Sequence, residues 1–389
     1  MNQAILVLNA GSSSIKFGLY TAADSLDLLW RGQVEAIGSA QARLLATQPD
    51  GEHIARRLET PDHPTALQHL LAWMEEIMGK RTLSAVGHRV VHGGRQFSTP
   101  VRITPGVLQQ LDDLTSLAPL HQPHNLLGIK LLAQSYPRLP QVACFDTAFH
   151  HNIPEVARLF ALPRELTEHG ICRYGFHGLS YEYIAETLPA HSGAAADGRV
   201  VVAHLGHGVS LCALQHGASI ATTMSFSPLD GIPMATRSGA LDPSVVFYLQ
   251  RSMNMSIDEI EQLLNHRAGL LGVSGQSADV RALLESTHPD ARLALDLFVY
   301  HTVRAVGSLA AALGGLDALV FTAGIGEHAI PIRERICRGC EWLGVQLDAG
   351  ANARHDVQIS RPESPVSAWV IPTDEEQMIA RHTWRRINT

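Results

Sequence analysis

The stretch AILVLNAGSSSIKFGLY, residues 4–20, decides the fold class of this chain of 389 residues. An apolar run, a short Gly/Ser segment and a second, alternating run predict a strand, a tight loop and another strand. The same shape returns in RVVVAHLGHGVSLCAL, residues 199–214, and DALVFTAGIGEHA, residues 317–329, predicts a third buried strand that ends in glycines. The recurrence of one strand–loop–strand shape predicts two related α/β halves.

Helical patterns lie between these strands. Residues 63–79 and 290–313 carry apolar side chains at spacings of three and four, which predicts helices. A chain of this length is sufficient for two domains joined by a cleft. We expect one domain at residues 1–147, completed by the last helix at 377–389, and a second domain at 148–376.

Composition excludes several classes of protein. A formal net charge of −7 leaves no excess of Lys and Arg for a nucleic-acid partner. No basic residue precedes the first apolar run, so we expect no signal peptide and a cytoplasmic protein. Residues 305–326 are apolar enough to suggest a membrane span, but Asp317 and Gly314–Gly315 interrupt them. We therefore expect a buried helix followed by a buried strand, and no membrane partner. Residues 189–199 lack a clear pattern and are interpreted as a surface loop.

The cysteines indicate neither a disulfide framework nor a zinc site. Five cysteines are few and odd in number for a secreted, disulfide-bonded fold. Cys337 and Cys340 form a single CxxC, and one such pair cannot complete a four-ligand zinc site. We therefore predict free thiols.

Glycine-containing turns are the first candidates for chemistry. The chain lacks the two commonest phosphate loops, GxxxxGKS/T and GxGxxG. Short Gly/Ser hairpins can still bind phosphate through backbone N–H groups, and residues 9–12, 204–208 and 324–327 are candidates. Each one alone is more simply explained as a hairpin turn. Three of them, each after a predicted strand, favour a nucleotide site.

Charged residues in apolar surroundings are the second set of candidates. Arg89 lies within a strand-like run and Arg237 in a loop, and two arginines can bind a carboxylate and a phosphoryl group together. Asp146 ends an apolar run and is a candidate magnesium ligand. His177 precedes a predicted helix, where a donor could stabilise developing negative charge. Glu375 opens a predicted helix, a place where acids are also common for purely structural reasons.

Taken in order, these segments resemble the acetate kinases, the acetokinase family of short-chain carboxylate kinases. The similar segments are LVLNAGSSSIKFGLY, GHRVVHGG, LAPLHQPHN, CFDTAFH, YGFHGLSYEYI, HLGHGVSL, TRSGALDP and FTAGIGE. They run from residue 4 to about residue 383 and so span nearly the whole chain. The resemblance implies the duplicated ribonuclease-H-like fold of acetate and sugar kinases, heat-shock ATPases and actin, with two domains around a nucleotide cleft. It also implies a homodimer.

The resemblance further implies an activity and a set of site residues. The activity is reversible, ATP-dependent phosphorylation of acetate to acetyl phosphate by direct in-line transfer, with Mg²⁺ or Mn²⁺ as cofactor and ATP/ADP as co-substrate. The implied catalytic residues are Asn9, Arg89, Asp146, His177 and Arg237, and the implied metal ligands are Asn9, Asp146 and Glu375. The implied substrate-binding residues are Val91, Leu120, Phe176 and Pro228, which would surround the methyl group of acetate, and His121, which would be in supporting contact. The implied nucleotide-binding residues are Ser12, Ser14, Lys16, His204, Gly206, His207, Gly208, Asp279, Arg281, Gly324, Ile325, Gly326, Glu327 and His328.

This chemistry needs no nucleophilic side chain. A carboxylate is already an anionic nucleophile, so the protein must hold two mutually repelling anions in line and neutralise a metaphosphate-like transition state. Two arginines, a histidine and magnesium meet that need.

Four positions depart from the family pattern. His207 and His328 stand where Asn is common, and Ser225 and Ala235 stand where Gly is usual. We expect these changes to affect nucleotide affinity or donor identity, since every charged residue of the implied site is present. If the His207 ring faces the phosphates, the anion favours its protonated form. If the ring faces solvent, it is a spectator.

Three alternatives stay open at this point. A kinase that prefers propionate or butyrate would differ in the volume of the pocket beside Val91. A degenerate homologue would bind nucleotide poorly because of His207. The third alternative, from another class, is a non-catalytic, actin- or heat-shock-like nucleotide-binding protein. It would assign no functional role to Arg89, Arg237 and His177.

Overall fold

The chain folds into two compact units. The computed structural model describes residues 3–11, 13–59 and 62–388. Unit 1 comprises Met1–Ala148 and Asp374–Thr389, and unit 2 comprises Phe149–Thr373. Ser12, one of the predicted phosphate-binding residues, lies outside the described residues.

Strands and helices alternate along both units. The strands are β1 (Gln3–Ala10), β2 (Ile15–Thr21), β3 (Leu28–Glu35), β4 (Arg43–Thr47), β5 (His53–Arg57), β6 (Thr82–Val90), β7 (Val101–Arg102), β8 (Gln141–Phe145), β9 (Arg199–Leu205), β10 (Val209–Gln215), β11 (Ala218–Thr222), β12 (Ala318–Thr322) and β13 (Ser367–Val370). The helices are α1 (His63–Met78), α2 (Pro105–Asp113), α3 (Gln122–Ser135), α4 (Glu155–Arg158), α5 (Arg164–Glu168), α6 (Gly178–Thr187), α7 (Pro189–Ser192), α8 (Pro243–Ser252), α9 (Ile257–His266), α10 (Gly269–Ser274), α11 (Val280–Glu285), α12 (Pro289–Leu313), α13 (Ala323–His328), α14 (Ile330–Gly339), α15 (Ala349–Ala353) and α16 (Glu375–Asn388). Short 3-10 turns occur at Leu114–Leu117, Ala148–His150, Gly193–Asp197 and Glu341–Leu343.

Unit 1 is built on an eight-stranded sheet in the order β5-β4-β3-β2-β1-β6-β8-β7. β1 and β2 form the antiparallel hairpin predicted for residues 4–20. β1, β6 and β8 are parallel neighbours, so their carboxyl ends meet at one edge of the sheet. In open α/β sheets this edge is where ligands bind.

The core of unit 1 lies between the sheet and the helices packed on it. Trp73 of α1 makes edge-to-face contacts with Phe17 and Trp30, at ring-centroid distances of 5.5 and 5.4 Å. Asp62 caps α1 by accepting a hydrogen bond from the backbone N–H of Thr65. The last helix, α16, packs against β1 and β6. Its first residue, Glu375, is thereby placed at the edge of the sheet described above.

Unit 2 repeats the strand order of unit 1. Its five-stranded sheet has the order β11-β10-β9-β12-β13. β9, β10 and β11 are antiparallel, and β12 and β13 are parallel to β9. Five of the eight unit 1 strands, β3-β2-β1-β6-β8, pair in the same order and with the same directions. The predicted duplicated α/β fold is therefore confirmed.

The apolar stretch at residues 305–326 is part of the unit 2 core. Among the described residues, one helix, α12, has the length and apolarity of a membrane span. It packs against β9, β10 and β11 and buries Ala294, Phe298 and Val306. The stretch continues into β12, whose five residues are all buried. The expected buried helix followed by a buried strand is confirmed.

Two local predictions are wrong. Residues 189–199 were expected to form a loop, but they form α7 and the 3-10 turn at Gly193–Asp197. Pro189 at the first helical position and the alanines that follow favour helix. Residues 324–327 were expected to form a hairpin turn, but they lie in α13. A hairpin is impossible there because β12 and β13 run parallel.

The five cysteines are free and buried, as predicted. Burial raises the pKa of the Cys337 thiol, and it raises the pKa of Cys340 to about 12. Both CxxC sulfurs are therefore protonated and unreactive near neutral pH.

Close packing of α16 on β6 gives a stability prediction. A Cβ atom on Gly87 would overlap Thr383 Oγ1 and lie 2.6 Å from Ile379 Cγ2. Gly87→Ala should therefore push α16 away from the sheet and reduce the free energy of unfolding by about 1–3 kcal/mol. The matched control is Gly128→Ala in α3, where a Cβ meets nothing within 4 Å. It should stabilise by up to ~1 kcal/mol, the helix-propensity difference. Thermal unfolding measures both, and equal midpoints for the two variants would contradict the packing.

Candidate active site

Arg89 is the centre of a charged cluster in unit 1. Its Nε and Nη2 donate to the two oxygens of Asp146 at 2.9 and 2.6 Å. Its Nη1 donates to Asn9 Oδ1 at 3.2 Å, and Glu375 Oε2 lies 3.7 Å from Nε. The structure therefore brings together four of the predicted catalytic and metal-binding residues.

The topology explains why these residues meet. Asn9 lies at the end of β1, Arg89 at the end of β6, and Asp146 directly follows β8. The three parallel strands are adjacent, so their last residues share one edge, and α16 begins at the same edge with Glu375. The charged side chains are largely shielded, with Arg89 20% and Asp146 2% exposed.

Negative charge dominates this cluster. Burial opposes the charge of Arg89, but the carboxylates of Asp146, Glu375 and Glu376 outweigh it and raise the pKa of the guanidinium. Burial raises the pKa of Asp146, Arg89 counteracts this rise, and Glu375 adds to it. Burial, followed by repulsion from Glu375, also raises the pKa of Glu376. Lys16 acts in the opposite direction and lowers the pKa of Glu376. The carboxylates therefore repel each other even in the presence of Arg89 and Lys16, and a further cation would relieve that repulsion.

The predicted metal ligands have the right chemistry for magnesium. Asn9, Asp146 and Glu375 present oxygen atoms, which Mg²⁺ prefers. Each Asp146 oxygen keeps a lone pair after accepting its bond from Arg89. Among the residues that the structure describes, no group of three or more His, Cys, Asp or Glu side chains is gathered as a metal site.

Asn125 connects the first predicted phosphate loop to the predicted acetate pocket. Its Oδ1 accepts a hydrogen bond from the backbone N–H of Val91 at 3.0 Å, and its Nδ2 donates to the Ala10 carbonyl at 2.7 Å. The His63 ring bonds the Gly11 carbonyl at 2.8 Å. Gly11 N–H in turn donates to the Ser14 carbonyl at 2.8 Å, which closes the loop.

The remaining predicted residues of unit 1 surround these contacts. Lys16 pairs with Asn9 across the β1–β2 hairpin. His121 directly precedes α3, the helix that carries Asn125. Val91 is buried and Leu120 is half-buried. Their roles toward acetate and phosphate stay predictions.

His177 is the centre of a second cluster, in unit 2. It precedes α6 with φ 58°, in the left-handed region. Its Nδ1 and the Ser210 hydroxyl are 2.8 Å apart, and the Tyr181 hydroxyl also bonds Ser210. The ring stacks on His204 at 4.1 Å between centroids, and His204 Nδ1 bonds the Ser180 hydroxyl at 2.8 Å. The hydrogen bond at Nδ1 therefore fixes the orientation of each ring.

The second glycine turn lies against His177 and Arg237. Gly206 N–H donates to the Gly208 carbonyl at 3.1 Å, which closes the turn. A Cβ on Gly208 would lie 3.1 Å from His177 Nε2 and 3.8 Å from Arg237 Nη1. A side chain at position 208 would therefore crowd His177 and lie in contact distance of Arg237. The structure confirms that these predicted residues are neighbours, while their binding roles stay predictions.

His207, the most unusual residue of the turn, is exposed. Partial desolvation by the surrounding protein, and secondly the charge of Arg237, lower the pKa of its ring. Without a bound anion the ring is therefore neutral at neutral pH, and the expectation for a ring that faces phosphate stays a prediction.

The loop that carries Arg237 is fixed by backbone carbonyls. Arg237 Nη1 donates to the Pro228 carbonyl at 3.2 Å. Ser225, where the family pattern has glycine, uses its hydroxyl to bond Asp230 and its carbonyl to accept from Tyr174 N–H at 2.9 Å. Ala235, the other such position, is buried with an exposed fraction of 4%. Both replacements are therefore accommodated within unit 2.

Phe176 is buried, and its carbonyl accepts from the His150 ring at 2.9 Å. His150 thus holds the peptide that leads into His177. Burial lowers the pKa of His150 to about 4, so it is neutral.

The third glycine segment, in α13, adjoins the second. A Cβ on Gly206 would lie 3.5 Å from the Ala323 Cβ at the start of α13. The buried Arg333 donates to the carbonyls of Gly326 and Glu327 at 3.0 and 2.7 Å and fixes the end of this helix. The other predicted nucleotide-binding residues of this region are Gly324, Ile325 and His328 in α13, and Asp279 and Arg281 at the start of α11. Asp279 caps α11 by accepting from Arg281 N–H at 2.8 Å, so its part in an adenosine pocket stays a prediction.

Several residues of these clusters were not singled out from the sequence. They are Asn125, Tyr181, Ser210 and Arg333. The first three lie inside segments that were quoted for the resemblance, so their positions were visible but their contacts were not. The burial of Arg333 could not be predicted, because the several charged residues of its helix are typical of a surface helix.

The fold and these clusters define the class of protein first. The duplicated strand order is that of the acetate and sugar kinase, heat-shock ATPase and actin class. The model of the acetokinase family matches residues 4–381. The chain belongs to the acetokinase family, and it is a nucleotide-binding phosphotransferase with a carboxyl group as acceptor.

Relatives cover the chain from end to end. It is similar to the acetate kinase of Rhodopseudomonas palustris (strain ATCC BAA-98 / CGA009), with 56% identity over 99% of this chain and 98% of the relative. Among solved structures it is similar to a propionate kinase from Francisella tularensis, with 38% identity, a TM-score of 0.93, and coverage of 98% and 99%. It is also similar to the acetate kinase of Porphyromonas gingivalis, with 37% identity, a TM-score of 0.88, and coverage of 99% and 100%. These likenesses favour an enzyme over the non-catalytic alternative.

The Tyr181–Ser210–His177 chain gives a prediction. Ser210→Ala leaves Nδ1 of His177 without its hydroxyl partner, so the ring loses its fixed orientation and tautomer. We expect kcat for phosphoryl transfer to fall about tenfold, or ~1.4 kcal/mol, with the KM for ATP nearly unchanged. Tyr181→Phe, which removes only the distal hydroxyl, should have a smaller effect.

Ser364→Ala is the matched control, because its hydroxyl bonds the Gly344 and Val366 carbonyls elsewhere in unit 2. It should keep the wild-type kcat. A wild-type kcat in a stably folded Ser210→Ala variant would contradict the positioning role.

Proposed function

We propose that this chain catalyses reversible phosphoryl transfer between ATP and acetate, giving acetyl phosphate and ADP by direct in-line displacement. The observation that carries the proposal is the cluster of His177, His204 and Arg237 beside the Gly208 turn. It supplies oriented rings and positive charge, as transfer to an anionic acceptor requires. The 56% identity to a protein named acetate kinase supports acetate as the acid.

The proposed reaction involves no proton transfer. A carboxylate oxygen of acetate bonds to the γ-phosphorus, and the bond from that phosphorus to the β–γ bridging oxygen of ATP breaks. Arg89 and Arg237 neutralise charge on the acetate and on the transferring group, and His177 donates to its equatorial oxygens. Positioning and electrostatic stabilisation provide the rate enhancement.

Asn9, Asp146 and Glu375 are the residues that would hold Mg²⁺ or Mn²⁺. When bound, the cation supplies positive charge to the phosphate oxygens of ATP. The mutual repulsion of the carboxylates around Arg89 supports this assignment, because a bound cation would reduce that repulsion.

The predicted domain roles are part of the proposal. Residues 1–147 with 377–389 would bind the carboxylate and carry the first phosphate loop, and residues 148–376 would bind the nucleotide. The implied nucleotide-binding residues of α11 and α13 belong to this second part.

We also propose a cytoplasmic homodimer. Helix α8 exposes Val245, Phe247 and Tyr248, and α12 exposes Leu293 and Tyr300, which are apolar surfaces suited to a second copy. Free, buried thiols are typical of a reducing compartment. A nucleic-acid or membrane partner forms no part of the proposal.

A propionate kinase is the second candidate, favoured by the likeness to the Francisella tularensis enzyme. Val91 and Phe176 are both buried apolar side chains that would limit the size of the acid. One methylene in an apolar pocket changes discrimination by only ~1–3 kcal/mol, so activity on both acids is expected, with acetate preferred.

The test is an assay with ATP, magnesium and a panel of acetate, propionate and butyrate, with the acyl phosphate trapped by hydroxylamine. Acetate should give the highest kcat/KM. Arg89→Ala and Arg237→Ala should each lower it at least a hundredfold, about 3 kcal/mol. Lysine at either position should not restore it, because the bidentate fork is lost. A preference for propionate would overturn the substrate, and near-normal activity of the alanine variants would overturn the site.

The lowered pKa of His207 gives a pH prediction. A bound phosphate raises this pKa, so ATP binding takes up a proton if the ring faces the anion. The affinity for ATP should then be constant above the bound-state pKa, strengthen as the pH falls toward the lowered free-state pKa, and level off below it. The KM for acetate should show no such step. His207→Asn should abolish the step, and identical KM profiles for ATP in the two proteins would make His207 a spectator.

A further inference from the structure

A cavity lies in unit 1, away from the Arg89 cluster. It is an open cleft of about 640 Å³, within the usual size range of small-molecule sites. Thr82, which starts β6, and Pro140, which precedes β8, line it. The cleft therefore lies at the amino ends of the strands whose carboxyl ends carry Arg89 and lead to Asp146.

The floor of this cleft is apolar. Leu71, Met74 and Met78 line it from α1, and Leu83 and Leu139 line it from β6 and from the segment before β8. Met74 is 1% exposed and belongs to the unit 1 core, and the other four are half-buried and pack against that core. Two methionines allow the floor to adapt to the shape of an apolar ligand.

The rim of the cleft is positively charged. Arg81 and Arg138 line it, and both are exposed. Within the part of the chain that the structure describes, neither guanidinium has a hydrogen-bond or ion-pair partner. Glu75, an acid in the lining, already accepts a bond from the Tyr136 hydroxyl at 2.8 Å. Two unpaired guanidinium groups above an apolar floor match an anion with an apolar body.

We propose that this cleft binds a small amphipathic carboxylate, with its hydrocarbon body on the methionine and leucine floor and its carboxylate at Arg81 and Arg138. The site is separate from the one proposed for acetate, and it does not depend on phosphoryl transfer.

The test is calorimetric titration of the full-length protein with octanoate, with octanamide and acetate as comparison probes. Octanoate should bind saturably with one site per chain. Octanamide, which keeps the hydrocarbon but lacks the charge, should bind at least tenfold more weakly, and acetate should give no signal at this site. The double variant Arg81→Ala/Arg138→Ala should weaken octanoate at least tenfold, as for a lost charge-assisted contact, and leave octanamide unchanged.

Three further variants separate the alternatives. Lys80→Ala removes a neighbouring positive charge that does not line the cleft and should leave octanoate binding within twofold of wild type. Ser135→Trp fills the cleft from the end of α3 and should abolish binding of octanoate and octanamide. Arg89→Ala should have no effect. Thermal unfolding of every variant, Arg89→Ala included, shows that it is folded at the temperature of the titration, and only folded variants are compared.

Four results would overturn the proposal. They are no saturable octanoate binding at millimolar concentration, equal affinity for octanamide, unchanged octanoate affinity in the Arg81/Arg138 double variant, or loss of binding in Arg89→Ala. The last result would place octanoate at the carboxylate site proposed for acetate.

Discussion

Arg89 carries a positive charge in surroundings where water is largely excluded, and such a charge is stable only when other groups neutralise it. Asp146 does so through two hydrogen bonds, and Asn9 and Glu375 add to it. These partners come from the ends of β1 and β8 and from the start of α16. Removal of one partner from a buried ion pair costs about 3–5 kcal/mol, so the cluster fixes these chain ends relative to one another.

The two units share a sheet topology, but the charged groups of their candidate site clusters differ. In unit 1, burial is the main cause that raises the pKa values of Asp146 and Glu376, and repulsion from Glu375 adds to both shifts, while Arg89 lowers the pKa of Asp146 and Lys16 lowers that of Glu376. In unit 2, desolvation and secondly the charge of Arg237 lower the pKa of His207. Phosphoryl transfer to a carboxylate involves both a cation and anionic oxygens, so carboxylates and cationic side chains each have a part in the proposed function.

The fixed orientation of the two histidines shows what a polar network adds to charge. Ser210 and Tyr181 hold Nδ1 of His177, and Ser180 holds Nδ1 of His204. Each ring is thereby held in one orientation in the absence of a ligand, and such preorganisation is what electrostatic catalysis requires of a donor. The glycine at position 208 is part of the same arrangement, because a Cβ there would crowd His177.

The strand–loop–strand repeat, the two long helices and the free thiols could be predicted from the residues alone, and the resemblance to the acetokinase family supplied the residues of the candidate site. Hydrophobic periodicity and turn residues are local properties, so β1, β2, α1 and α12 could be predicted from short windows. The hairpin turn predicted from the local sequence at residues 324–327 was wrong, because the direction of the partner strand β13, and not the glycines, decides between a hairpin and a helix. The contacts between distant side chains depend on the three-dimensional fold. Arg89 and Asp146 are 57 residues apart in the chain, and Asn125 joins Ala10 across 115 residues. Such pairings depend on strand order in the sheet, which follows from the burial of whole faces and leaves no mark in the sequence around either partner.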